Sequence, residues 1–360
     1  MANVLSVIMA GGVGERFWPC SRRNTPKQLL DLTGRGSMIA LTLDRVRGVS
    51  RPEETFVITT ASQHAAVAAE IEGRVDPGNI VAEPQGRNTA ASIGLAAVLV
   101  RHRFGDEPFM VLPADHLVGD MDRYEELTRA AEEYARHNDC LLTFGITPSR
   151  PETGYGYIQV GRKIQETGGV ELFEARSFHE KPTPGRARKF VEEGVYFWNS
   201  GMFFWKPGAI LGAIEKHLRE LHSVLAALEE RVGTDAFESV FNSMYPRVPS
   251  ISVDYGIMEK AKNVVVLKSD FYWNDVGSWE SIREVYTPDD VGNVLVGDHV
   301  VIDGKENTVF SPNRTVGVVG LDGLVVVDGG DAILVCKRER AQQVREVVEI
   351  LKKASREELL

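Results

Sequence analysis

Apolar positions in the first 150 residues form short continuous runs that alternate with segments of helical periodicity. Continuous apolar runs are typical of strands buried on both faces, and helices between them indicate a mainly parallel sheet covered by helices. The predicted strands are Val4–Met9, Thr55–Thr60, Ile80–Ala82, Pro108–Leu112 and Cys140–Ile146. The predicted helices are Met38–Val46, Gln63–Ile71, Thr89–Arg101 and Arg123–Arg136. The first part of the chain is therefore predicted to be α/β.

The pattern changes after Pro151. Three stretches have strand character and are interrupted by short helices: TGYGYIQV, GVELFEARSFHEKP and GVYFWNSGMFFW. They indicate an α+β insertion on the same sheet, so we expect the sheet to be mixed. Between Pro207 and Arg231, leucine and alanine recur at helical spacing, which favours core packing.

The chain from about Gly292 to Val335 consists almost entirely of short β segments separated by Gly or Asp-Gly. Such punctuation predicts either the tight coils of a small solenoid or a β-sandwich. A final helix is predicted over Glu339–Lys353, with its apolar residues on one face. We therefore expect a large domain over residues 1–287 and a small domain over residues 288–360.

Charge and composition exclude several classes of protein. The chain of 360 residues has 41 Lys and Arg against 51 Asp and Glu, a formal net charge of −10. Nucleic-acid binding through a general basic surface is therefore not expected. The three cysteines are an odd number without metal spacing, which fits a reducing compartment. The apolar run Val4–Ala10 is too short to span a bilayer and lacks a basic leader, so we expect a cytoplasmic protein that does not enter a membrane.

A glycine-rich and cationic loop follows the first predicted strand. Glycines at this point leave backbone N–H groups free to face a ligand. The glycines are Gly11, Gly12 and Gly14, and the cations are Arg16, Arg22, Arg23 and Lys27. Phe17 occupies the third glycine position of a dinucleotide fingerprint, which disfavours a Rossmann dehydrogenase, and no P-loop Gly-Lys-Ser/Thr follows. A solvated turn remains the alternative, but the pattern favours a cradle for a triphosphate.

Two aspartates follow predicted strands. Asp115 comes at the same edge of the sheet as the glycine loop, and Asp275 comes after another strand, beside a glycine. Asp115 lies in VLPADH and Asp275 in WNDVGSW. Each alone could equally be a helix cap. Magnesium needs only a few hard oxygen ligands from the protein, because substrate phosphates and water supply the rest. Together with a phosphate cradle, the two aspartates predict a Mg²⁺ site.

These motifs resemble the nucleotide-sugar pyrophosphorylases, and within them most closely the mannose-1-phosphate guanylyltransferases. The opening stretch AGGVGERFWPCSRRNTPKQ is similar to the signature of the superfamily. Further similar stretches, in the family order, are EPQGRNTAASIGLAA, VLPADH, TGYGYI, FHEKP, WNSGMFFW, SVDYGIMEK, WNDVGSW and LVVVDGGDAILVCKRERAQQV. The resemblance covers roughly residues 4 to 335. It ends where bifunctional relatives continue into an isomerase domain, so that second activity is not expected.

The resemblance implies a Rossmann-like nucleotidyltransferase domain followed by a short left-handed β-helix. The implied reaction converts GTP and mannose 1-phosphate to GDP-mannose and pyrophosphate. Its nucleophile is a phosphate oxygen that is already ionised, so no catalytic base is needed. Arg16 and Lys27 are the expected catalytic cations, with Mg²⁺ on Asp115 and Asp275. A homodimer is a further possibility.

The resemblance also implies residues for the two ends of the substrates. Gly154, Glu180, Lys181 and Asn199 lie in motifs where the family contacts the hexose phosphate. A surface charge pair at the end of a strand is the alternative for Glu180 and Lys181.

Glu83 and Asn88 are candidates for the guanine edge, although Asn88 could equally be a helix N-cap.

Two other functions stay open. One is a related enzyme of ADP-glucose or GDP-heptose type, which differs in its base or sugar. The other is a non-catalytic regulatory subunit that senses GDP-mannose. Such a subunit is expected to have lost charged residues of the site, whereas Arg16, Lys27, Asp115 and Asp275 are all present. The sequence therefore favours an enzyme.

Overall fold

The strands and helices follow the predicted alternation. A computed structural model describes residues 4–360, apart from the side chain of Thr167. The strands of the first part are β1 (Leu5–Met9), β2 (Thr55–Thr60), β3 (Ile80–Glu83), β4 (Phe109–Pro113), β5 (Leu117–Val118), β6 (Leu141–Ile146), β7 (Tyr157–Thr167), β8 (Val170–His179), β9 (Tyr196–Trp205), β10 (Val264–Ser269) and β11 (Trp273–Asn274). The helices are α1 (Met38–Val46), α2 (His64–Glu70), α3 (Asn88–Phe104), α4 (Met121–His137), α5 (Pro184–Glu193), α6 (Pro207–His217), α7 (Arg219–Glu229), α8 (Ala236–Met244) and α9 (Val344–Lys353).

A nine-stranded mixed sheet forms the centre of the molecule, in the order β3-β2-β1-β4-β9-β6-β10-β8-β7. Strands β1 to β4 run parallel to one another, and β6 runs parallel to β10. Strand β9 lies antiparallel between β4 and β6. The prediction of a mixed, mainly parallel sheet is confirmed, and the antiparallel strands come from the part of the chain after Pro151.

Helices cover both faces of this sheet and bury the apolar runs. On one face, Leu43 of α1 and Leu127 of α4 belong to a core that also holds Ile8 of β1. On the other face, α3 packs with α6 and α7. Gly94 in the middle of α3 allows this approach, because a Cβ there would collide with the side chain of Leu225. Burial on both faces explains why the first strands are continuously apolar.

Two helical boundaries differ from the prediction. The segment predicted as helical from Pro207 to Arg231 is divided into α6 and α7 at Leu218, whose φ of −136° lies outside the helical range. The final helix α9 is preceded by a 3₁₀ segment, Arg338–Gln343, so the α-helix begins later than predicted. No helix in residues 4–360 is long and apolar enough to cross a membrane.

The small C-terminal sheet contains strands β12 (Val294–Ile302), β13 (Thr308–Val319), β14 (Leu324–Asp328) and β15 (Ile333–Lys337), in that order. Strand β13 is parallel to both β12 and β14, and only β15 is antiparallel. Successive parallel strands joined by short turns are the arrangement of a β-helix. Of the two architectures predicted for this region, the solenoid is therefore confirmed, while the left-handed sense of its coil stays a prediction.

The C-terminal unit shares a core with the glycine-rich loop. Trp279 is fully buried, and its ring centroid lies 5.0 Å from that of Phe17 and 5.2 Å from that of Phe310. Its indole Nε1 donates a hydrogen bond of 3.0 Å to the carbonyl oxygen of Trp18. One aromatic side chain thus joins the loop to the β-helix. The boundary predicted near residue 288 stays a prediction, and packing is continuous across it.

We predict that Trp279→Ala lowers the free energy of unfolding by about 3–5 kcal/mol, because it removes a fully buried ring and leaves a cavity. Urea denaturation followed by fluorescence or circular dichroism measures the change. Val300→Ala is the control, since Val300 is 53% exposed on β12. Equal stability of the two variants would contradict a shared core.

Candidate active site

A cavity of about 440 Å³ opens at the carboxyl ends of β1 and β4. Ligands of open α/β sheets bind at this edge. Most of the predicted site residues line the cavity: Gly11, Gly12, Gly14, Glu83, Asn88, Asp115, Gly154, Glu180, Asn199 and Asp275. The structure therefore brings together residues that lie far apart in the sequence.

Glycine is needed at two positions of the loop for different structural reasons. Gly14 has φ +74°, and a Cβ at this position would collide with the side chain of Lys27. Gly12 has open space where a Cβ would be, at the rim of the cavity. Gly14 therefore allows the loop to close over Lys27, whereas Gly12 leaves room for a ligand to approach the backbone.

Lys27 joins the two predicted metal ligands. Its side chain is 7% exposed, and its Nζ lies 2.8 Å from Asp115 Oδ2. The same Nζ donates to the backbone carbonyl oxygen of Asp275 at 2.7 Å. Burial alone would raise the pKa of Asp115, but the Lys27 ammonium and His116 outweigh it and lower that pKa. Asp115 is thus held ionised.

The carboxylate of Asp275 is oriented by an aromatic side chain. The hydroxyl of Tyr155 donates to Asp275 Oδ1 at 2.8 Å. The rings of Trp198 and Trp273 pack against the Tyr155 ring, each at a centroid distance of 5.1 Å, and hold it in place. Burial, with Asp275 next, raises the pKa of Tyr155, so this phenol remains a donor.

The donor set fits the predicted magnesium site in chemistry. Both Asp115 and Asp275 present carboxylate oxygens to the same cavity. Residues 4–360 contain no cluster of three or more Asp, Glu, His or Cys side chains suited to a metal. Two carboxylates suffice only where the ligand supplies further oxygens, which is how Mg²⁺ binds with nucleotide phosphates.

The four cations of the loop do not converge on one point. Arg22 pairs with Asp331 at 2.7 Å, and Arg23 pairs with Glu357. Both partners belong to the C-terminal unit, so the predicted cradle of four cations is wrong for Arg22 and Arg23. Neighbouring arginines on an irregular loop look alike in sequence, and only their distant partners separate them.

Arg16 lies in an adjoining cavity of about 800 Å³, where its guanidinium donates to Gln342 Oε1 at 2.9 Å. Gly14 and Gly154 line both cavities, so the two adjoin there. Lys181 also lines the adjoining cavity; it is 57% exposed, and its Nζ lies 3.4 Å from Glu180 Oε1. The catalytic role of Arg16 and the phosphate role of Lys181 stay predictions.

Three of the four residues predicted for the sugar line the main cavity, namely Gly154, Glu180 and Asn199. The side chain of Glu180 is 9% exposed, and its Oε2 is buried without a hydrogen-bond partner among the described residues. Burial, with Asp254 next, raises the pKa of Glu180 to about 7. Asn199 donates from Nδ2 to Asp254 Oδ1 at 2.9 Å. Asp254, a residue the sequence analysis did not single out, lines the same cavity.

The two side chains predicted to bind the guanine edge are held by hydrogen bonds to neighbouring residues. Glu83 accepts hydrogen bonds from the hydroxyls of Ser92, at 2.7 Å, and Tyr245. Burial raises the pKa of Glu83. Helix α3 begins at Asn88, where φ is +65°, and Asn88 Oδ1 accepts from the amide of Thr89 at 2.8 Å. Asn88 therefore has a non-helical φ and its side chain accepts from the start of α3, as the cap interpretation expects, while its guanine role stays a prediction.

Comparison with known proteins identifies the family. The model of the nucleotidyl transferase family matches residues 5–290. Residues 297–351 match a mannose-phosphate isomerase/GMP-like β-helix domain. A mannose-1-phosphate guanylyltransferase of Klebsiella pneumoniae is 40% identical over 99% of this chain and 75% of its own length. The chain belongs to the mannose-1-phosphate guanylyltransferase family of nucleotidyl transferases.

Other members of the family show the same extent of similarity. The alginate biosynthesis protein AlgA of Pseudomonas aeruginosa is 36% identical over 99% of this chain and 73% of its own length. Among solved structures, one described as a mannose-1-phosphate geranyltransferase of Thermus thermophilus is 35% identical. It covers 98% of this chain and 100% of its own, with a TM-score of 0.87. Both family domains are therefore present in this chain.

We predict that Glu180→Gln stabilises the protein at pH 8 but not at pH 4.5. The pKa of Glu180 is raised above its ordinary value, so its ionised form destabilises the folded state. This cost is absent well below the ordinary pKa, develops as the pH rises from that value to about 7, and is complete above about 7. Thermal unfolding of the variant and the wild type at both pH values measures it.

The matched control is Glu192→Gln, which changes an exposed carboxylate on α5. A difference in Tm between Glu180→Gln and wild type that is the same at both pH values would contradict the raised pKa.

Proposed function

We propose that this protein transfers GMP from GTP to mannose 1-phosphate, with release of pyrophosphate. The observation that carries the proposal is one cavity that is lined by the glycine loop, by Glu180 and Asn199, and by Asp115 and Asp275. Lys27 is not among the residues that line the cavity, but its Nζ contacts the Asp115 carboxylate and the Asp275 carbonyl oxygen. A reaction that joins a nucleotide to a sugar phosphate needs both sets of residues around one cavity. Family membership supports the same reaction.

Positioning and charge stabilisation account for the chemistry. A phosphate oxygen of the sugar phosphate forms a bond to the α-phosphorus of GTP, and the bond from that phosphorus to the bridging oxygen of pyrophosphate breaks. The attacking oxygen is ionised at neutral pH, so no proton has to be removed. The barrier lies in bringing two anions together, which Lys27 lowers from a fixed position beside Asp115.

Asp115 and Asp275 are the residues that would hold Mg²⁺, as their convergence on one cavity supports. When bound, the ion would neutralise charge on the phosphate oxygens. Lys27 keeps Asp115 ionised, and Tyr155 keeps the Asp275 carboxylate oriented. A homodimer and a cytoplasmic location are part of the same proposal.

The first test is the reaction itself. Purified protein is incubated with each of the four nucleoside triphosphates and with mannose 1-phosphate or glucose 1-phosphate, and pyrophosphate release is measured. We expect the highest kcat/KM for GTP with mannose 1-phosphate, and loss of activity in excess chelator. Preference for ATP with glucose 1-phosphate would support the related enzyme instead. Binding of GDP-mannose without turnover of any pair would support a regulatory subunit.

The second test concerns Lys27. We predict that Lys27→Ala lowers kcat on the order of a hundredfold, about 3 kcal/mol, with a smaller change in KM, because its charge acts on the transition state. Arg23→Ala is the matched control from the same loop, since Arg23 pairs with Glu357 outside the cavity. A change in KM alone for Lys27→Ala would mean that Lys27 only binds the ground state.

The third test concerns the metal. Asp115→Asn and Asp275→Asn are each expected to abolish nearly all turnover while the fold, measured by circular dichroism, is retained. Both substitutions preserve shape and remove the charge that a cation needs. Near-normal activity of either variant at saturating Mg²⁺ would overturn the two-aspartate site.

A further inference from the structure

Asp254 stands beside the residues predicted for the sugar. It begins a π-helical turn, Asp254–Met258, and lines the main cavity. Turns of this kind occur frequently at functional sites, because they displace a side chain from the regular helical position. Here the turn presents a carboxylate that accepts from Asn199 Nδ2 at 2.9 Å.

The hydrogen bonds of Asn199 determine which way its amide points. Asn199 Oδ1 accepts from the backbone N–H of Gly201 at 3.3 Å. It also lies 2.9 Å from the hydroxyl of Thr143, whose single proton is shared with the carbonyl oxygen of Met202 at 3.0 Å. A backbone N–H can only donate, so the atom facing Gly201 is the amide oxygen. That oxygen therefore faces Gly201 and Thr143, and one of the two N–H groups goes to Asp254. Asn199 has one N–H left, so the group that it can offer a ligand is a donor.

Glu180 supplies a hydrogen-bond acceptor in the same cavity. Its Oε2 is buried and has no partner among the described residues, so it is available to a ligand hydroxyl. The charged groups that act on this carboxylate are Asp254, Lys181 and Glu259. Burial also raises the pKa of Asp254. Two buried carboxylates with raised pKa values disfavour double ionisation, so the pair holds a proton more readily than either carboxylate would alone.

We propose that Asp254 is a positioning residue for sugar specificity: it holds Asn199 as a donor while Glu180 serves as the acceptor. A bound hexose phosphate must then place one hydroxyl that accepts from Asn199 and one that donates to Glu180. Epimers that differ in the direction of a single hydroxyl meet this requirement differently. The proposal rests on the proposed function. It names the residue that determines which side chain donates to the sugar and which accepts from it.

The experiment compares Asp254→Ala with Asp254→Asn. Alanine removes the acceptor, so Asn199 loses the bond that fixes its amide. Asparagine keeps a carbonyl oxygen in the same place and can still accept from Asn199 Nδ2. We expect Asp254→Ala to raise KM for mannose 1-phosphate about tenfold and to lower the kcat/KM ratio of mannose 1-phosphate to glucose 1-phosphate, within the range for an unpaired buried polar group. KM for GTP is expected to be unchanged.

Asp254→Asn separates positioning from other roles, because it is expected to restore most of the epimer ratio. Its ratio is also expected to vary less with pH between 5 and 8 than that of the wild type, since the carboxylate pair is gone. The epimer ratio cancels the titration of the substrate phosphate, which both sugars share. Equal defects in the two variants, or an unchanged epimer ratio in Asp254→Ala, would overturn the proposal.

Failure of the proposed function has a different signature. If the wild type prefers another sugar phosphate, the same comparison is made with that sugar and its epimer, and the expectation for Asp254 is unchanged. Circular dichroism and thermal unfolding control for loss of fold. A rise in KM for both substrates together with a lower Tm would assign Asp254 a structural role and contradict the proposal.

Discussion

The ammonium group of Lys27 is the point on which the site depends. It comes from the glycine-rich loop, and it contacts the Asp115 carboxylate after β4 and the Asp275 carbonyl oxygen after β11. A cation that is 7% exposed must be paired, because an unpaired buried charge is strongly unfavourable. The pairing therefore draws three distant segments together. Gly14 is required at the same place, since any side chain there would collide with Lys27.

The C-terminal unit supports the other side of the same loop. Glu15 pairs with Lys352 at 2.6 Å, and the indole of Trp18 donates to the carbonyl oxygen of Leu359 at 2.9 Å. The guanidinium of Arg16 donates to Gln342. Exposed ion pairs contribute little individually, and the buried ring of Trp279 packs against Phe17 of the same loop. The C-terminal unit thus supports the loop that holds Lys27.

Much of the fold could be predicted from the sequence, because a strand buried on both faces has to be continuously apolar. The run Leu5–Met9 is an example, with four buried residues in a row. The break at Leu218 could not be predicted, since leucine and alanine continue at helical spacing on both sides of it. Leu218 packs against the core that α3 and α7 share, and no local pattern records such a tertiary contact.

Part of the site could be predicted in a related way. Asp115 comes soon after β4, whose carboxyl end lies beside that of β1 at one edge of the central sheet. Asp275 follows β11, which pairs with β5 in a separate two-stranded sheet, so its motif and not a place in the central sheet pointed to the site. Charge alone did not separate Lys27 from Arg22, because both are cations on one loop and their partners lie 88 and 309 residues away. Asp254 was missed because its proposed role depends on a hydrogen bond from Asn199, which lies on β9 and is distant in sequence.

The two halves of the cavity depend on different interactions, full charges in one and directed hydrogen bonds in the other. The phosphate half depends on full charges, which attract any polyphosphate and discriminate little between bases or sugars. The sugar half excludes water from Glu180 and arranges donors and acceptors of fixed direction, and a wrong hydroxyl there leaves a buried group unpaired. Under the proposed function, rate and specificity are therefore separable in this protein. Changes around Lys27 are expected to act on transfer for every substrate, whereas changes around Asn199 are expected to act on the choice among them.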